Sequence, residues 1–250
     1  MNAKYFKFGT GEKVMLMIPG LSLLPVSLAK AQIESAYSIF CEEYTVYVFD
    51  GPEVIDESDD LFDAANDIYD MIIELGLKDI YLFGVSAGGM ISQVLALEHP
   101  ELFKKMVLCS TTDGDVNNEK FKYWYEYAQK KDLIALIDSF MKNVYSQEVY
   151  EANLDSAIMV YNNLTDEDFK YFLVKLKACR EFDLKDRVSK IKVPTLIIGS
   201  RKDQIYSADM MEDMAKRIGC ESYFYDSYSH AVYDEAEDFK KRVYDFYKQD

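Results

Sequence analysis

Gly84, Val85, Ser86, Ala87 and Gly88 form the pattern G-x-S-x-G, which suits a serine that attacks a carbonyl carbon. That chemistry needs the hydroxyl on a very sharp strand-to-helix turn, where glycines on either side relieve crowding and the free amides of the helix N-terminus face a developing oxyanion. Three fixed positions recur by chance in roughly one chain in ten of this length. The context therefore carries the weight: the pattern directly follows a predicted strand over 80–85 and directly precedes a predicted helix over 89–98.

A serine hydroxyl becomes a useful nucleophile when a base removes its proton. The chain has 2 histidines, His99 and His230. His99 falls at the far end of the helix that starts after Ser86, roughly 15 Å or more away at the helical rise, and is expected to serve a surface role at the helix end. His230 follows the last predicted strand, and parallel strands deliver their C-terminal loops to one edge of a sheet, where Ser86 also belongs. His230 is the expected base. It needs a carboxylate to hold its tautomer; Asp203, just past a predicted strand over 195–199, is the leading choice, and Asp113 and Asp115, after the strand ending at Cys109, occupy the other loop in reach. The strand over 14–18 runs into Pro19, Gly20 and Leu21, so the amide of Leu21 can join that of Ala87 as a second oxyanion donor, although an ordinary Pro-Gly turn would leave the same trace.

The elements that must position these groups alternate. Short apolar runs over 14–18, 45–49, 80–85, 106–109, 194–199 and 222–225 read as strands, and helical patterns over 27–40, 61–75, 89–98, 207–218 and 236–247 fall between or after them. Such alternation predicts an α/β fold with a mostly parallel sheet flanked by helices. From 113 to 190 the rhythm breaks, with helical patterns over 121–129, 133–144 and 167–176. This stretch reads as a helical cap inserted within one domain spanning 1–250. Its aromatic residues Tyr123, Trp124, Tyr125, Tyr127 and Tyr161 are candidates to line a pocket, and Met141, Met159 and Met210 read as core filler.

Composition narrows the function. With 250 residues, 49% hydrophobic and 29% charged, the chain is long enough to bury a core and is expected to fold. A net charge of −16 and no basic patch argue against nucleic acid or an anionic membrane as partner. The 4 cysteines, Cys41, Cys109, Cys179 and Cys220, form no CxxC pair and lie near no histidine, so free thiols are expected and no metal. The uncharged run 14–29 is too short for a bilayer span and is interrupted by Pro19, Gly20 and Pro25, so a cytoplasmic location is expected.

Across nearly its whole length the chain resembles the α/β-hydrolase superfamily. The likeness rests on I-P-G-L at 18–21, G-V-S-A-G at 84–88, A-L-E-H-P-E-L-F-K-K-M-V-L at 96–108, V-P-T-L-I-I-G-S-R-K-D at 193–203, S-H at 229–230, and the chain order Ser86, Asp203, His230. In particular it is similar to the small capped esterases and enol-lactonase-like hydrolases. The resemblance implies nucleophile Ser86, acid Asp203, base His230, oxyanion amides at Leu21 and Ala87, no cofactor, and a small-molecule acyl substrate: a carboxylic ester, lactone or thioester cleaved through an acyl-enzyme. A serine at 86 argues against dehalogenase or epoxide hydrolase chemistry. Two departures stand out, Pro19 where the family usually has histidine, and Asp50, Gly51, Pro52 and Glu53 in place of a basic stretch. Rival readings on the same scaffold are a lyase or cofactor-free peroxidase, a receptor with a dormant triad, and an aminopeptidase. The last would need acids such as Glu148, Glu151, Asp155, Asp166, Glu167 and Asp168 to meet a substrate amine; they read more simply as a solvated face.

Overall fold

The computed structural model describes residues 3–52, 55–114, 116 and 119–249; Glu53 and Asp115, singled out above, lie outside them. The elements run β1 (Ala3–Phe8), β2 (Lys13–Ile18), α1 (Lys30–Ala36), β3 (Tyr44–Pro52), α2 (Leu61–Glu74), β4 (Ile80–Val85), α3 (Ala87–Glu98) and β5 (Phe103–Cys109). Four helices follow, α4 (Glu119–Gln129), α5 (Leu133–Val144), α6 (Gln147–Tyr161) and α7 (Asp166–Glu181). The chain then continues through β6 (Thr195–Ser200), α8 (Ala208–Ile218), β7 (Glu221–Tyr225), α9 (Val232–Glu235) and α10 (Phe239–Lys248).

The strands form one sheet in the order β1-β3-β2-β4-β5-β6-β7. Only the β1–β3 pairing is antiparallel among the pairings of the described residues. Central strands of such a sheet are covered on both faces and so read as continuous apolar runs; all of β6, T-L-I-I-G-S, is buried. Successive side chains of one strand then feed different cores. Leu16, Ile18, Leu82, Met106, Leu108 and Ile197 belong to the cluster shared with α2, α3 and α8. Met15, Met17, Phe83, Val107, Leu196 and Ile198 belong to the cluster that holds Tyr37, Phe40, Phe239 and Val243.

Register brings the functional loops side by side. Ile18 stands opposite Gly84, Val85 opposite Cys109, Cys109 opposite Ile198, and Ser200 opposite Tyr225. The chain therefore leaves β2, β4, β5, β6 and β7 along one rim, beside the point where strand order reverses around β2. Behind the β4 exit, α3 is buried from Ala87 through Ala96, and it packs close because two glycines lack side chains. A Cβ on Gly88 would lie 2.0 Å from the Ile18 carbonyl oxygen, and one on Gly84 would lie 2.6 Å from that of Gly88.

Several expectations need correction. The antiparallel edge strand β1 went unread because Lys4 and Lys7 interrupt its apolar residues. The helix expected over 27–40 is split into α1 with 3-10 turns at Val26–Ala29 and Ser38–Phe40. The closing helix begins at Phe239, after the separate short α9. Helix α6 was missed because it buries no residue and carries little amphipathic signal. Met159 on that helix is 70% exposed and is not core filler. Among the described residues no helix is long and apolar enough to cross a membrane.

The glycines separate two kinds of cost. Gly88→Ala drives a methyl group into backbone carbonyls and is expected to lose about 3 kcal/mol. Gly76→Ala, at φ 63° with open space around it, is expected to lose only about 1 kcal/mol from backbone conformation. Urea denaturation of the two variants checks the contrast.

Candidate functional site

Ser86 sits between β4 and α3 at φ 54° and ψ −120°, a conformation that L residues rarely adopt. Its surroundings hold it there. The Ser86 amide donates to the Cys109 carbonyl at 2.9 Å, and its own carbonyl accepts from the Gly89 amide at 2.9 Å and the Thr111 hydroxyl at 2.7 Å. Although Ser86 is the N-cap residue of α3, its side chain makes no capping bond, so the hydroxyl is left for other work.

The exit of β5 supplies the brace. Ser110, Thr111 and Thr112 are all buried small polar residues. Thr111 fixes the Ser86 carbonyl, the Ser110 hydroxyl donates to the His230 carbonyl at 2.7 Å, and the buried Gln93 amide reaches the Thr112 carbonyl at 3.0 Å. Sequence reasoning missed this scaffold. Its one visible signal is a run of three small hydroxyl residues at a strand exit.

Asp203 and His230 meet as expected. The Asp203 carboxylate, fully buried, accepts from the amides of Ile205 at 2.7 Å and Tyr206 at 3.0 Å through Oδ1, while Oδ2 lies 2.8 Å from Nδ1 of His230. With both oxygens occupied as acceptors, the shared proton belongs on Nδ1, leaving Nε2 as the free basic nitrogen. The histidine loop is tied to α5 as well: the Ala231 amide donates to the Val144 carbonyl at 2.8 Å, and the Ser229 hydroxyl donates to that of Asn143 at 3.3 Å.

The alternative acid Asp113 is buried and engaged elsewhere. Arg217 pairs with it at 2.5 and 3.1 Å, although burial outweighs that cation and pushes the carboxyl pKa up. His99 lies at the C-terminal end of α3, its ring stacked 3.7 Å from that of Tyr69. It is half-buried on that ring rather than simply exposed.

Ser86, His230, Gly20, Leu21 and Ala87 all line one cavity. The 19–21 turn abuts the serine, since a Cβ on Gly20 would come within 3.1 Å of Ser86 Cβ. Ala87 opens α3, and an amide in that position has no carbonyl acceptor within its own helix. The remaining wall comes from the four-helix segment, through Phe121 and Trp124 of α4, Phe140 and Val144 of α5, and Cys179 of α7. Of the aromatic residues expected there, Trp124 takes part, held by an indole N–H bond to Ser139 at 3.1 Å, while Tyr123 is 46% exposed and Tyr161 lines a neighbouring cavity.

One further residue joins the three. Tyr206 is buried, offers its amide to Asp203, sets its ring edge-on to His230 at 5.6 Å, and lines the same cavity as Ser86. Burial pushes its phenol well above the ordinary range, so the proton stays on. Among the described residues no hydrogen bond joins Ser86 to His230. Sequence spacing gave no hint of the place Tyr206 takes. The constellation can take up a proton at Nε2 and, after rotation of a serine hydroxyl about χ1, activate that hydroxyl toward an electrophilic carbon.

Known proteins share this architecture. RutD, named as a carbamate hydrolase, from Rhizobium rhizogenes is 26% identical over 188 residues, covering 73% of this chain and 72% of its own. An α/β hydrolase enzyme from a Medee basin deep-sea metagenome library superposes with a TM-score of 0.87 at 20% identity, over 99% of this chain and 94% of that one. The enol-lactonase of Burkholderia xenovorans LB400 does so with a TM-score of 0.85 at 18% identity, over 99% and 96%. The family model described as the alpha/beta hydrolase fold matches residues 14–237, so this chain belongs to the α/β-hydrolase family.

Proposed function

We propose that this chain is a serine hydrolase that cleaves a small or medium carboxylic ester, lactone or thioester through an acyl-enzyme on Ser86. The observation that carries the reading is the buried Asp203–His230 pair, 2.8 Å apart and facing the cavity that Ser86 lines. In the first step the Ser86 hydroxyl turns to Nε2 of His230 and attacks the carbonyl carbon while the imidazole takes its proton. Asp203 steadies the imidazolium and keeps its orientation. The amides of Leu21 and Ala87 hold the oxyanion. One such donor contributes about 3 kcal/mol in acyl-transfer sites, so two aligned amides account for a large part of the acceleration. His230 then protonates the leaving alcohol, and water repeats the sequence on the acyl-enzyme.

In this reading residues 113–190 act as a cap that shuts the reacting bond away from bulk water, with Phe121, Trp124 and Phe140 shaping the pocket for the substrate's apolar part. Ser86 makes no hydrogen bond to His230 among the described residues, which favours one other reading, a ligand-binding protein that turns over slowly because its serine is parked away from the base. A fluorophosphonate probe separates the two, since rapid labelling of Ser86 counts against the parked state.

Two substitutions test the hydrolase reading with p-nitrophenyl acetate and butyrate. Ser86→Ala is expected to lower kcat by roughly a million-fold, down to background; equal turnover by wild type and variant would refute the assignment. Asp203→Asn leaves the shape but inverts the hydrogen-bond requirement at Nδ1, and is expected to lower kcat about ten-thousand-fold with little change in KM. Steady-state kinetics on both variants, with circular dichroism to verify folding, decides the matter.

A further inference from the structure

A second cavity adjoins the one that holds Ser86, and Gly20, Ala87 and Cys179 form part of the wall of each. Its other walls are mostly apolar and include Phe49, Leu61, Ile91 and Val174. Lys175 of α7 also lines it. The Lys175 ammonium stands 4.7 Å from the centre of the Tyr171 ring, one helical turn earlier. Tyr171 in turn is set by the end of β3: Gly51 has φ 107°, and a Cβ there would lie 2.1 Å from the Tyr171 hydroxyl. Glycine at 51 therefore makes room for the ring that carries the lysine.

The charges around this cavity are unevenly satisfied. Asp50 accepts from the Ser27 amide at 2.9 Å, Asp59 from the Asp56 amide at 2.7 Å, Asp60 from the amides of Phe62 and Asp63 at 2.7 and 3.0 Å, and Asp63 from the Asp60 amide at 3.0 Å. Asp67 has a partner of its own. Lys175 has three N–H donors, and among the described residues no carboxylate lies within 4 Å of them; Asp50 acts on it only through its field. Burial lowers the Lys175 ammonium to about 8, so it stays mainly charged at neutral pH in surroundings that under-compensate the charge. Asp60 and Asp63 are exposed, and with Asp50, Asp59 and Asp67 they form part of the cavity wall, where each of these acids is already engaged by a partner of its own.

We propose that this second cavity is an arm of the substrate site and that Lys175 binds a carboxylate carried by the substrate away from the bond that is cleaved. The preferred substrate is then a monoanionic ester with a distal carboxylate, whose carbon chain lies along the apolar wall between the lysine and Ser86. A more highly charged substrate is disfavoured by the acids at the mouth. The inference rests on Ser86 as the nucleophile but adds a claim that can fail separately.

The test compares matched esters. Mono-p-nitrophenyl adipate and suberate are set against p-nitrophenyl hexanoate and octanoate, and 4-acetoxybutanoate against butyl acetate places the carboxylate on the alcohol side. In wild type the ratio of kcat/KM, acid over neutral, is expected to be at least about tenfold in one series. Lys175→Met is expected to bring that ratio down to about one, and Lys175→Arg to restore most of it; a ratio within one variant is insensitive to how much of the protein is active. A ratio near one in wild type, or a preference that survives Lys175→Met, overturns the inference while Ser86-dependent turnover of the neutral esters leaves the hydrolase reading intact. Should no ester be cleaved, calorimetry with monomethyl adipate and methyl hexanoate keeps the claim testable. Tighter binding of monomethyl adipate than of methyl hexanoate by wild type but not by Lys175→Met supports it, and equal binding overturns it.

Discussion

The main-chain conformation of Ser86 is the constraint on which the site depends. At φ 54° and ψ −120° it is costly by itself, on the order of 1–3 kcal/mol, and it persists because neighbouring groups leave the backbone no easier path. The amide is held by β5, the carbonyl by Gly89 and Thr111, and the residues on either side are locked by the close approach of Gly84 and Gly88 to their neighbours. Sheet register and the burial of α3 are thus prerequisites for presenting one hydroxyl to a cavity. The same strand exits also carry Asp203 and His230, so the architecture that strains the serine is the one that assembles its neighbours.

What could be read in the sequence follows from how local each requirement is. The G-x-S-x-G turn, the loop position of His230 and the acid just past β6 were legible because strand, turn and helix signals flank each of them within a few residues. The parallel order of strands was legible for the same reason, since buried strands are short and uniformly apolar. Tyr206 was not legible. Nothing in D-Q-I-Y announces that a residue three positions after the acid gives it an amide and sets its ring against the histidine. Nor did the run Ser110, Thr111, Thr112 declare itself as a brace, because the partners of those hydroxyls lie far away in sequence. Helix α6 escaped because a helix with no fully buried residue leaves little periodic trace, and β1 because it is an edge strand with lysines on it.

Charge tells a similar story on a larger scale. The net charge of −16 belongs to the surface and speaks to solubility and to excluded partners. The interior pairs are sparse and specific: Arg217 with Asp113, His230 with Asp203, and Lys175 over a tyrosine ring. Strongly acidic composition therefore gives little guide to what stands inside a cavity, where one half-buried lysine shares the wall with five aspartates.

The two hydrogen bonds that tie the histidine loop to the end of α5 carry a mechanical consequence. If the four-helix segment swings to admit a ligand, the end of α5 near Val144 is a fixed hinge, because lifting it would drag Ala231 and with it the imidazole. Helix α6 is then the less constrained side: it has no fully buried residue, although Tyr150, Leu154 and Tyr161 pack partly buried against the core, so shifting it costs less than lifting α5. Entry of a ligand and integrity of the Asp203–His230 pair would thereby fall on opposite sides of one pivot.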